Sequence, residues 1–155
     1  MRTVFTFALA AAMAALMAAA ESAAAPSAAA ELNGTYVRTV TKADIARTAK
    51  FRHEGPGQTP PPAGVVHLTF SAHAFRFVDP TGFAISQTYS AAPTGRLTIK
   101  AYVNPALSSF CGPEIPQNAS YTWIRKGRIL TLKAKDDRCA DRDSLLAGRW
   151  TRVGG

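Results

Sequence analysis

From residue 34 onward, apolar and polar side chains alternate with a period of two, and Gly, Pro, Asn or Asp interrupts the pattern at short intervals. That period sends successive side chains to opposite faces of an extended strand, so each run predicts a half-buried strand. The runs are 34 to 40 (GTYVRTV), 64 to 70 (GVVHLTF), 73 to 79 (HAFRFVD), 83 to 90 (FAISQTYS), 95 to 103 (GRLTIKAYV), 119 to 125 (ASYTWIR), 128 to 135 (RILTLKAK) and 148 to 153 (GRWTRV). Eight strands in series, rather than strands alternating regularly with helices, predict an antiparallel meander.

Turn chemistry sets the register. In DPTG, 79 to 82, Pro80 suits the first corner of a type I turn and Gly82 the left-handed residue of a three-residue hairpin. Asp79 is then opposite Phe83, and Phe77 opposite Ile85. A two-residue Lys126-Gly127 turn pairs Trp123 with Leu130 and Tyr121 with Leu132. Both registers gather large apolar residues on one face: Val66, Leu68, Phe70, Phe75, Phe77, Phe83, Ile85, Tyr89, Leu97, Ile99, Val103, Tyr121, Trp123, Leu130 and Leu132. The fold class expected is all-β, an eight-stranded antiparallel up-and-down barrel that leaves no open edge. A flattened sandwich is the alternative.

Two short helices interrupt the meander. Thr41 with Asp44 three residues on forms a capping box, and Ala43, Ile45 and Ala46 would face the barrel. Near the C-terminus, Asp141 is the expected cap of a turn through Ser144, Leu145 and Leu146, ended by Gly148.

The first thirty residues have a different pattern. Arg2 precedes an uncharged run from Val4 to Ala20, and an Ala/Ser/Pro tract with A-x-A sites follows, the composition of a secretory signal. The chain thus divides into 1–30, signal peptide and flexible Ala-rich segment, and 31–155, the barrel domain. An uncleaved anchor is the rival reading; the favoured one is a secreted protein with no stable membrane insertion after cleavage. In that compartment Cys111 and Cys139, the two cysteines of the chain, are expected to form a disulfide.

The longest links (after strands one, five and seven) fall at one end of an up-and-down barrel, which marks that end as a binding mouth. The dense stretch DDRCADRD, 136 to 143, lies there. It reads as a staple at Cys139 and a helix cap, with Arg138 and Arg142 as candidate mouth charges.

Charge and motifs narrow the function further. A net charge of +8 favours anionic partners. His67 and His73 fall on opposite faces, and no spacing suits a metal, so neither metal nor cofactor is expected. No nucleophile, paired inward acids or phosphate-cradling loop is present, so no catalytic residue is assigned. The aromatics lie on the inward register, against a nucleic-acid surface. The candidate ligand lining is Phe75, Phe77, Phe83, Ile85, Tyr89, Tyr121, Trp123 and Leu132. The expected function is a secreted binding module for a small hydrophobic or amphipathic, even anionic, molecule. The alternative is a module that engages an exported protein, for example as a protease inhibitor.

GTY at 34 to 36 followed by TKADI, SYTW at 120 to 123, LTLKAKDDRC at 130 to 139 with Arg142, and the closing GRWTR at 148 to 152 resemble the calycin and lipocalin-like group. The nearest resemblance is to small exported bacterial lipocalin-like domains. It spans the mature chain and implies a barrel whose first-strand aromatic packs under a cation from its end: here Tyr36, with Arg149 or Arg152.

Overall fold

The computed structural model describes residues 27–49, 59–100 and 118–154. Their elements run α1 (Ala28–Leu32), β1 (Gly34–Val40), α2 (Lys42–Thr48), β2 (Gly64–Ser71), β3 (Ala74–Val78), β4 (Ala84–Ala92), β5 (Arg96–Lys100), β6 (Ala119–Lys126), β7 (Ile129–Asp136), α3 (Ala140–Leu146) and β8 (Gly148–Val153). The eight strands form a closed antiparallel barrel in sequence order, β8 returning to β1. The up-and-down barrel is therefore the fold, and the sandwich is excluded.

Registers decide which side chains share the interior. Phe77 lies opposite Ile85 and Phe70 opposite Phe75, as the turn chemistry requires. Asp79 accepts bonds from the Thr81 and Phe83 amides at 2.8 and 2.9 Å, an Asx-type turn around Pro80 and Gly82. The β6 to β7 register is different from expectation. Lys126 pairs with Ile129, so the turn is Gly127-Arg128, and Trp123 meets Leu132 while Tyr121 meets Ala134. Gly127 has φ 58°, which any other residue in this turn would adopt at a cost. A two-residue slip preserves facing, so Trp123, Tyr121, Leu130 and Leu132 all remain inward.

The core is one contiguous cluster. Of the expected inward set, Phe83 is the exception at 50 % exposure, Ile85 is half-buried, and Val103 lies outside the described residues. Phe83 leaves the register because it closes the three-residue turn, where the strand has already ended. The first and last strands complete the interior with Tyr36, Val40 and Trp150.

Both ends are closed by helices. At the short-loop end, α1 begins at Ser27, whose hydroxyl accepts from the Ala30 amide, and buries Ala28 and Leu32. Tyr36 donates its hydroxyl to the Leu32 carbonyl at 2.9 Å from inside the barrel. α1 thus spans position 31, with Ala28 and Leu32 both in the core cluster. Ala-rich sequence is a good helix former, and the one face that carries Ala28 and Leu32 docks it.

At the other end α2 packs against α3. The capping box of α2 is formed as expected: Thr41 accepts from the Asp44 amide, and Asp44 from the Thr41 amide at 2.9 Å. Of its apolar residues Ile45 packs on the core, whereas Ala43 and Ala46 are exposed. The cap of α3 is Cys139, not Asp141: its Sγ accepts from the Arg142 amide at 3.4 Å, which leaves Asp141 and Asp143 inside the first turn. There they face the positive end of the helix dipole. Cys139 is not a free thiol. Its expected partner Cys111 lies outside the described residues.

Candidate ligand-binding site

Six of the eight residues expected to line a ligand cavity are buried in the barrel interior, Phe83 and Ile85 being the exceptions. Phe75, Phe77, Tyr89, Tyr121, Trp123 and Leu132 have exposures between 0 % and 6 %. Phe70 makes an edge contact with Tyr89, ring centroids 5.0 Å apart, and another with Tyr36 at 6.1 Å. Side chains packed ring to ring satisfy one another and leave little wall for a guest.

The sequence pattern does not single out Arg38, a buried charge beneath the mouth. Arg38 projects inward from β1 and is nearly fully buried. It donates to the carbonyls of Leu145 and Ala147 at the end of α3, and its other nitrogen lies 3.1 Å from Asp44. Its guanidinium carbon is 5.7 Å from the centre of the Trp150 ring. Burial pulls the Arg38 pKa down, with Asp44 opposing. The Asp44 carboxyl is raised by burial, but the bonds from Thr41 and the charge of Arg38 outweigh that, and it lies below its usual value.

A glycine makes room for this arginine. A Cβ on Gly148 would sit 2.5 Å from Arg38 Nη1, and one on Gly34 would sit 2.6 Å from Arg152 Nε. The reason is legible in hindsight: β1 reads Gly34-x-Tyr36-x-Arg38 and β8 reads Gly148-x-Trp150-x-Arg152, antiparallel to one another with Tyr36 opposite Arg152. Each inward arginine lies over the glycine of the neighbouring strand. The cation over an aromatic ring is Arg38 from the first strand over Trp150 from the last, and not the expected pair of Tyr36 with Arg149 or Arg152. Arg149 is exposed and points outward.

A second buried charge group holds α3. The Asp137 side chain is fully buried and accepts from Arg142 Nε at 2.8 Å, Arg142 Nη2 at 2.7 Å, the Cys139 amide at 2.9 Å and the Tyr121 hydroxyl. Burial, then the Asp137 charge, raises the Tyr121 phenol well above its usual value, so it stays a donor. Burial lowers the Arg142 pKa, but Asp137 more than offsets that and the net shift is upward. Of the two expected mouth charges, Arg142 is therefore committed to Asp137, and Arg138 is exposed.

One concavity lined by described residues lies on the outer wall. A cleft of about 400 Å³ is lined by Asp44 and Arg47 of α2, Thr131 to Ala134 of β7, Asp143 of α3, and Ala147, Gly148 and Arg149. Arg47 and Asp143 are 3.4 Å apart, the arginine half-exposed. Asp143 Oδ1 is buried and unbonded. Burial raises its carboxyl pKa, and Arg47 acts against that. Lys133 and Arg149 are exposed and make no ion pair among the described residues. Three cations face two carboxylates, of which Asp44 is already engaged.

No family model, curated protein or solved structure matches this chain. The eight-stranded closed barrel is compatible with a lipocalin-like fold. Among the described residues no group of three or more His, Cys, Asp or Glu is placed to hold a metal ion, and no helix is long and apolar enough to cross a membrane.

Proposed function

We propose that this chain is an exported binding module that takes a small amphipathic molecule with an anionic headgroup, at the outer cleft and not in the barrel interior. The observation that carries this reading is the contrast between the two: interior aromatics are almost entirely covered, while the cleft is concave and carries Arg47, Lys133 and Arg149. Its volume is within the range of small-molecule sites, roughly 300 to 1,000 Å³. Ala134 and Ala147 give it apolar wall for a short chain, and the overall charge of +8 steers anions toward it. The barrel then serves as a rigid scaffold, and the reading assigns no catalytic residue. Export rests on the N-terminal sequence.

Amide chemical shifts of the labelled protein titrated with octanesulfonate test this. Shifts confined to residues 131 to 134 and 143 to 149, absent with octylammonium and lost in Lys133→Glu/Arg149→Glu, are expected. Shifts centred on Phe75, Tyr89 and Trp123 would return the ligand to the interior.

A second reading, engagement of an exported protein, is favoured by Phe83. This large apolar side chain is half-exposed at the tip of the β3 to β4 turn, at the same end as α2 and α3. Phe83→Ser should abolish capture of that partner from culture supernatant while leaving octanesulfonate binding intact.

A further inference from the structure

The Arg47 to Asp143 pair is built to be opened. Arg47 reaches Asp143 by a single contact of 3.4 Å from a half-exposed side chain, so solvent competes for it. Asp143 is largely buried, and its Oδ1 has no hydrogen-bond partner. A buried carboxylate with one bare oxygen depends on its remaining cation to stay ionised.

Resting on the cleft reading above, we propose that anion binding at this cleft is coupled to proton uptake by Asp143. The anion takes the Arg47 guanidinium as its own donor, the Arg47 Nη1 to Asp143 Oδ2 contact breaks, and the carboxylate left behind accepts one proton from solvent. No other bond changes. The coupling is reciprocal, so a protonated Asp143 frees Arg47 and strengthens anion binding.

The groups around Asp143 oppose one another. Arg47 and Arg38 hold its carboxyl down while burial and Asp137 push it up. Asp44, Lys133 and Arg149 share the cleft. A bound anion cancels part of the field of Arg47, Lys133 and Arg149, and leaves Asp137, Asp44 and burial in place. Every one of those changes raises the proton affinity of Asp143. The coupling then makes affinity rise as pH falls across the interval between the Asp143 value in the free and in the anion-bound protein.

Calorimetric titration of the full-length protein with octanesulfonate, which stays ionised throughout, tests this at about pH 5 in two buffers of different ionisation enthalpy. The expected result is uptake of a fraction of a proton, up to about one, per anion bound. Asp143→Asn should bind at the same cleft with no uptake and no pH dependence between about pH 4.5 and 7. Cleft binding with zero uptake in the wild type, or uptake that persists in Asp143→Asn, overturns the coupling and leaves the cleft reading standing. Absence of cleft amide shifts with octanesulfonate overturns both.

Discussion

Arg38 on the first strand lies over the ring of Trp150 on the last, 5.7 Å from its centre, at the seam where β8 returns to β1. The same guanidinium ties that seam to α3 through Leu145 and Ala147 and to α2 through Asp44. Arg38→Met removes the donor but keeps the stem, leaving two α3 carbonyls unpaired. We expect a loss of about 2 to 4 kcal/mol in urea unfolding. An unchanged midpoint would show that the seam holds without it.

Asp137 collects four donors, so removing its charge strands a buried arginine. Asp137→Asn should cost about 3 to 5 kcal/mol, and Tyr121→Phe about 1 kcal/mol, since only one bond is lost. If the double variant costs as much as the sum of the singles, the phenol and the carboxylate do not act as a unit.

Cys139 both caps α3 and, on the sequence reading, staples it to Cys111. Cys139→Ser keeps a capping oxygen and removes the staple. Closure of a loop of about 29 residues by the disulfide implies a loss of about 3 to 4 kcal/mol, visible as a lowered Tm. Equal Tm values for the wild type with and without reductant would argue against the staple.

Leu32, just past the leader and Ala-rich tether, is completely covered beneath the barrel. Leu32→Ala should cost about 3 kcal/mol. For an exported protein, the mature N-terminus measured by mass spectrometry should lie before Ser27; a start at residue 31 would discard most of α1.

The two carboxylates of the cleft contribute to stability with opposite signs. The Asp44 value is depressed in the folded state, so its contribution is present above the unfolded carboxyl pKa and disappears as pH falls through the folded one. The Asp143 value is raised, so its contribution is present below the unfolded pKa and is lost as pH rises through the folded one. Urea midpoints measured against pH should therefore show Asp44→Asn flattening the acid limb, and Asp143→Asn at neutral pH at least as stable as wild type. A steep loss in Asp143→Asn at neutral pH would contradict the sign.

The strand runs, the Asp79 turn and the Thr41 to Asp44 cap were legible because period-two alternation and local hydrogen-bonding chemistry need no distant partner. Phe83 was misread because alternation says nothing about where a strand stops. The turn between β6 and β7 was misplaced by one residue because Lys126-Gly127 and Gly127-Arg128 both satisfy a tight turn, and both keep Trp123 inward. The repeat Gly-x-aromatic-x-Arg in β1 and β8 was the available signal for Arg38. Arginine at an inward position nevertheless reads as an error in the pattern until a glycine and two carbonyls are found to receive it.

By itself the sequence determined the number of strands, their order, their inward faces and the end at which the long links gather. These follow from local periodicity and connectivity. Tertiary structure alone decided that Phe75, Tyr89 and Trp123 are covered, that Arg142 is spent on Asp137, and that α2, α3 and the outer faces of β7 and β8 enclose a charged cleft. Each depends on distances between residues far apart in the chain, where close packing and the desolvation of charge set the outcome, and no local pattern encodes either.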